Sequence, residues 1–166
     1  MDEKEAFAAA LKLEEEGRDN YLNEAENSGN FVIKEVFTYL AGEELKHIES
    51  IKKISESLDM DVEFTENPLD KAQKMFTELV KDLKAENLEK AEFTDAYTSA
   101  ETFEKKTYEF YRKRVAEAAS ENLRKFFEAL AEQENAHFTM LEQLRVWSDN
   151  PTAWGEHTEG WFYKLD

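Results

Sequence analysis

One feature constrains this chain more than any other: it repeats itself at a fixed offset of 90 residues. Residues 40–51 (LAGEELKHIESI) return as 130–141 (LAEQENAHFTML), each copy carrying Glu-x-x-His. Upstream, 11–25 and 101–115 each place a Tyr seven residues after a Glu. With no gaps, Ala6, Ala10, Glu14, Tyr21, Phe37, Leu40, Ala41, Glu44 and His47 recur as Ala96, Ala100, Glu104, Tyr111, Phe127, Leu130, Ala131, Glu134 and His137. A duplicated helical hairpin that repeats carboxylates and imidazoles in register points to a two-metal site between its halves.

The hydrophobic period supports helices throughout. Residues 3–27 carry a buried-type stripe of Ala6, Phe7, Ala10, Leu13, Gly17, Tyr21 and Ala25, stopped by Asn27-Ser28-Gly29-Asn30. The pattern resumes at Phe31 and runs to about Leu58. Residues 59–68 break it, and Pro68 can open a shorter amphipathic helix with Leu69, Ala72, Met75, Phe76, Leu79, Val80 and Leu83. A third long helix is expected over about Glu89–Ala119 and a fourth over about Glu121–Trp147. Short turns make each long pair antiparallel, and the connection between the pairs is long enough for a crossover of ferritin type. The expected fold is all-α: a four-helix bundle of two repeated hairpins with a short helix in the crossover, spanning residues 1–148. Residues 149–166, which hold two of the three Trp, have no helical period and read as an irregular aromatic strap.

The site follows from the register. Glu14 and Glu44 lie about equally far from the first turn, and Glu104 and Glu134 about equally far from the second, so all four fall near mid-height of the bundle. They share faces with apolar residues, and His47 and His137 each sit one turn beyond a Glu on the same face. With 29 Glu among 166 residues, a single Glu-x-x-His carries little weight. Two copies at one offset, each with an upstream Glu at the same offset, carry much more. Four carboxylates in a bundle core repel one another and lose hydration, so compensating positive charge is required, and two divalent ions suffice. Tyr21 and Tyr111 are placed either to hydrogen-bond these carboxylates or to act as core aromatics. Glu101 breaks the repeat, facing Leu11 in the alignment, and reads as an extra ligand or a solvated acid near the site. His157 has no repeat partner and reads as a surface residue.

Composition narrows the classes. A net charge of −17 argues against nucleic acid or an anionic membrane surface as partner. With no Cys there is no thiolate ligand and no iron–sulfur or rubredoxin-type centre within these residues. No apolar run approaches a membrane span, and the acidic start MDEKEAF lacks a signal-like apolar region, so a cytoplasmic protein is expected.

These motifs resemble the ferritin-like diiron-carboxylate superfamily, most closely the rubrerythrin-like diiron domain, over roughly residues 3–147. The resemblance implies that Glu14 and Glu104 are terminal ligands, that Glu44 and Glu134 bridge, and that His47 and His137 each cap one metal. It departs from rubrerythrins proper in lacking Cys for a rubredoxin module. Carboxylate and imidazole donors suit two iron ions, or manganese, over structural zinc. The expected activity is reduction of peroxide or oxygen with a separate electron donor, in a protein expected to be a homodimer. A ferroxidase or iron-handling protein and a metal-free structural bundle are the competing readings.

Overall fold

The computed structural model describes residues 2–57, 64, 66–83 and 95–149. Five helices follow one another: α1 (Glu3–Asn27), α2 (Phe31–Glu56), α3 (Pro68–Leu83), α4 (Asp95–Glu117) and α5 (Glu121–Asp149). The all-helical bundle expected from the period is the fold observed. Asp149, expected to begin the strap at 149–166, instead ends α5, while residues 150–166 with His157 and the expected helical residues 89–94 lie outside the described residues.

Local chemistry sets the helix starts. Asp2 and Glu5 form a reciprocal capping box, Asp2 Oδ1 accepting from the Glu5 amide at 2.8 Å and Glu5 Oε2 from the Asp2 amide at 3.0 Å. Asn30 opens α2 by accepting from the amides of Val32 and Ile33 at 2.9 and 3.2 Å. Asn67 does the same for Leu69 at 2.9 Å, with Pro68 in the first helical position where its missing N–H costs nothing. The turns fall at 28–30, within the Asn27-Ser28-Gly29-Asn30 stop, and at 118–120, where the third expected long helix gives way to the fourth. Hairpins α1–α2 and α4–α5 each pack along their length, and α1 meets α4 between them.

Two apolar clusters lie towards opposite ends of the bundle. One joins Val36, Phe37, Leu40, Met140, Leu141 and Leu144 to Ala72, Phe76 and Leu79 of α3. The other gathers Phe7, Ile51, Ile54, Leu123, Phe126, Phe127 and Leu130. The crossover helix α3 is thus more than a spacer: its apolar stripe packs on α5 and completes the first cluster. Between the clusters sits a layer of buried ionisable groups.

Candidate metal centre

Each helix of the two hairpins contributes one carboxylate to that layer. Glu14 from α1, Glu44 from α2, Glu104 from α4 and Glu134 from α5 are all buried, as are His47 and His137. Their burial follows from the stripes they occupy, because the helical period that turns Ala10 and Leu40 inward also turns these groups inward.

They form two overlapping groups. Glu14, Glu44, His47 and Glu134 make one, and Glu44, Glu104, Glu134 and His137 the other. Within each group one ligand-type atom per residue lies within 4.8 Å of all the rest. Glu44 and Glu134 belong to both. The groups also cross the halves: His47 Nδ1 is 3.1 Å from Glu14 Oε2 and 3.1 Å from Glu134 Oε1, while His137 Nδ1 is 3.2 Å from Glu44 Oε1 and 3.5 Å from Glu104 Oε2. The two imidazoles stack with centroids 5.3 Å apart and planes at 15°.

A metal pair fits this arrangement on the atoms themselves. Both oxygens of Glu44 and of Glu134, Oε2 of Glu104 and both nitrogens of His137 are buried without a hydrogen-bond partner. Buried polar atoms are otherwise almost always satisfied, and a cation surrounded by these lone pairs removes the deficit.

Electrostatics describes the same strain. Burial, reinforced by the charge of Glu44, pushes the Glu14 carboxyl up to about 8. Burial and the charges of Glu14, Glu44 and Glu104 push Glu134 well above the carboxylate range. Burial would also raise Glu44, but the close approach of Glu14, His137 and His47 outweighs it and holds Glu44 below its ordinary value. Burial alone would depress both imidazoles, yet Glu14 beside His47 and Glu104 beside His137 hold them well above theirs. Protons balance the charge that metal ions would otherwise balance.

The two tyrosines join the halves. Tyr21 donates its hydroxyl to Glu104 Oε1, and Tyr111 donates to Glu14 Oε1. Burial, then the neighbouring carboxylate, raises both phenols, so they remain donors. Each therefore fixes the carboxylate of the opposite hairpin. Replacing Tyr111 by Phe is expected to weaken metal binding about 10–100-fold, read by competition with a chelator, while helix content stays unchanged.

Glu101 stands apart. It is half-buried, accepts the Tyr97 hydroxyl at 2.8 Å and belongs to neither group. Glu43 has more structural weight than its sequence suggested. Buried next to Glu44, it binds Lys46 at 2.7 Å and Lys71 of α3 at 2.6 Å, which hold its carboxyl below the usual range against the effect of burial. Its repeat partner is the neutral Gln133, and that break in the repeat was the available signal.

A helical bundle with paired carboxylates and Glu-x-x-His on facing helices defines the class of two-metal carboxylate proteins. A family model described as rubrerythrin matches residues 5–145, and the chain belongs to the rubrerythrin family. No curated protein and no solved structure matches the chain significantly. No helix among the described residues is long and apolar enough to cross a membrane.

Proposed function

We propose that this protein is a diiron oxidoreductase that reduces hydrogen peroxide, with electrons supplied by a separate donor. The observation that carries the reading is the sharing of Glu44 and Glu134 between two otherwise distinct buried ligand groups. Shared carboxylates hold two ions close, and an oxygen-rich donor set without thiolate suits iron or manganese. Glu14 and His47 would complete one metal's surroundings, and Glu104 and His137 the other's. Bound as a ferrous pair, the metals would supply the two electrons needed, with two protons, to reduce H2O2 to two waters.

The chain's own residues provide position and dryness. Tyr21 and Tyr111 orient the terminal carboxylates across the hairpins. The apolar clusters above and below close off the two ends of the layer. The 166 residues contain no Cys, so no thiolate iron centre among them can return electrons to the site.

Titration with Fe(II) under anaerobic conditions is expected to end at two metals per chain. An endpoint of one or none overturns the binuclear site.

The activity is tested by stopped-flow oxidation of the two-iron protein. Rapid single-turnover oxidation by H2O2 is expected, with sustained turnover only after an external reductant is added. Faster oxidation by O2, followed by renewed Fe(II) oxidation without a donor, would replace the peroxide reading with a ferroxidase.

A further inference from the structure

The two halves repeat the ligands but not their surroundings, and one departure lies between α1 and α4. There a cavity of about 300 Å³ is lined by Asn20, Tyr21, Glu24, Phe37, Ala100 and Phe103, among others. Moved by the repeat offset, Asn20 and Glu24 become Phe110 and Arg114. Those two side chains stack on each other, the guanidinium carbon 5.1 Å from the ring centroid, with Arg114 buried. Small polar residues leave space in one half where an aromatic and an arginine fill it in the other.

The inner wall of the cavity is thin. Phe103, half-buried, borders it and seats its ring against Gly17. A Cβ on Gly17 would lie 2.8 Å from Phe103 Cε1 and 3.5 Å from the carboxyl carbon of Glu44. The ring therefore occupies a notch that exists only because residue 17 has no side chain, and that notch abuts a shared carboxylate. The repeat equivalents of Gly17 and Phe103 are Thr107 and Leu13, so the other half has neither notch nor ring. The ring also packs at the margin of the first apolar cluster, Tyr21 meeting it edge-on at 6.3 Å, and the exposed Lys106 lies 5.7 Å over it.

We propose that this one-sided cavity is the port by which the oxidant reaches the metal centre, and that Phe103 in the Gly17 notch sets the size of molecule admitted. The port rests on the function proposed above. Its chemistry selects a small, uncharged, hydrogen-bonding molecule. Asn20, Ser99 and Glu24 offer polar contacts, Glu24 and the net charge of −17 oppose anions, and Phe37, Ala100 and Phe103 exclude bulk. Hydrogen peroxide meets these requirements, whereas a tertiary alkyl hydroperoxide is too wide to pass without displacing the ring. Phe103 is a specificity-determining residue here and takes no part in the chemistry.

Two measurements on the full chain test this. The first needs no turnover: the rate at which nitric oxide, small and uncharged, perturbs the visible spectrum of the diferrous protein, compared among wild type, Phe103→Ala and Phe103→Leu. The leucine variant keeps an apolar side chain of the kind the other half carries, so it guards against misfolding of the alanine variant. The second is the ratio of single-turnover rates of the diferrous protein with H2O2 and tert-butyl hydroperoxide. Wild type is expected to prefer H2O2 by about a hundredfold, and both variants to lose most of that preference while binding nitric oxide about tenfold faster. Gly17→Ala, which forces the ring outward, is expected to act in the same direction. Two bound irons with nitric oxide rates and peroxide ratios unchanged in all three variants would overturn the port and leave the function intact. A wild-type protein that binds no iron would overturn both.

Discussion

Replacing Glu44 by alanine is expected to empty both metal positions, whereas replacing His47 empties one. Glu44 and Glu134 belong to both ligand groups, while His47, Glu14, His137 and Glu104 belong to one each. Loss of a shared carboxylate removes a donor from each ion and the anion between them, which leaves two cations in mutual repulsion. The expected stoichiometries are near zero for Glu44→Ala and Glu134→Ala, and about one for His47→Ala and His137→Ala, read by metal analysis after anaerobic loading and desalting. Glu44→Gln separates charge from volume: it fills the same space with half the donor capacity and is expected to behave like the alanine variant. Independent loss of a single ion in all four alanine variants would show that neither carboxylate bridges.

The difference among these six residues was only partly legible in the sequence. The offset of 90 residues located all six, because a helical period turns equivalent positions to equivalent faces. It could not say which carboxylates are shared, since sharing depends on how the hairpins face each other. That geometry appears only in contacts across the halves, such as His47 to Glu134 and His137 to Glu44. The tyrosines show the same boundary. Their spacing from Glu14 and Glu104 was visible, but each hydroxyl serves the carboxylate of the opposite hairpin, not its own. The crossover helix was legible as an amphipathic segment, yet its role in the core depended on which groove received Phe76. Gly17 sat unexplained in a buried stripe until the ring of Phe103 was found against it. Local pattern fixes faces and heights; tertiary packing decides partners.

Metal binding and rising pH are expected to act on stability in opposite senses, with the metal's effect largest at the alkaline end of the range from about pH 5 to pH 8. In the metal-free protein, Glu14 is held at about 8 against an ordinary 4.5, chiefly by burial and then by Glu44. Glu134 is raised for the same reason, and the imidazoles of His47 and His137 are raised by the carboxylates around them despite burial. All four groups hold their protons more tightly folded than unfolded. Their contribution is complete below the unfolded values of 4.5 and 6.5 and is lost as pH rises through the folded values. Glu44 runs the other way, but its loss lies below 4.5 and outside this window. The metal-free protein should therefore melt at progressively lower temperature from about pH 5 to pH 8. Metal reverses the balance, because the ions need deprotonated carboxylates and a free imidazole nitrogen and so compete with the same protons. At saturating Mn(II), about a thousandfold above Kd, the native state gains about 4 kcal/mol, or on the order of 10 °C in Tm for a domain of this size. That gain should be largest at pH 8 and shrink towards pH 5, measured by differential scanning calorimetry with and without metal across the range. A gain that is absent, or the same at both ends, would mean that the protons and the metals do not share this site.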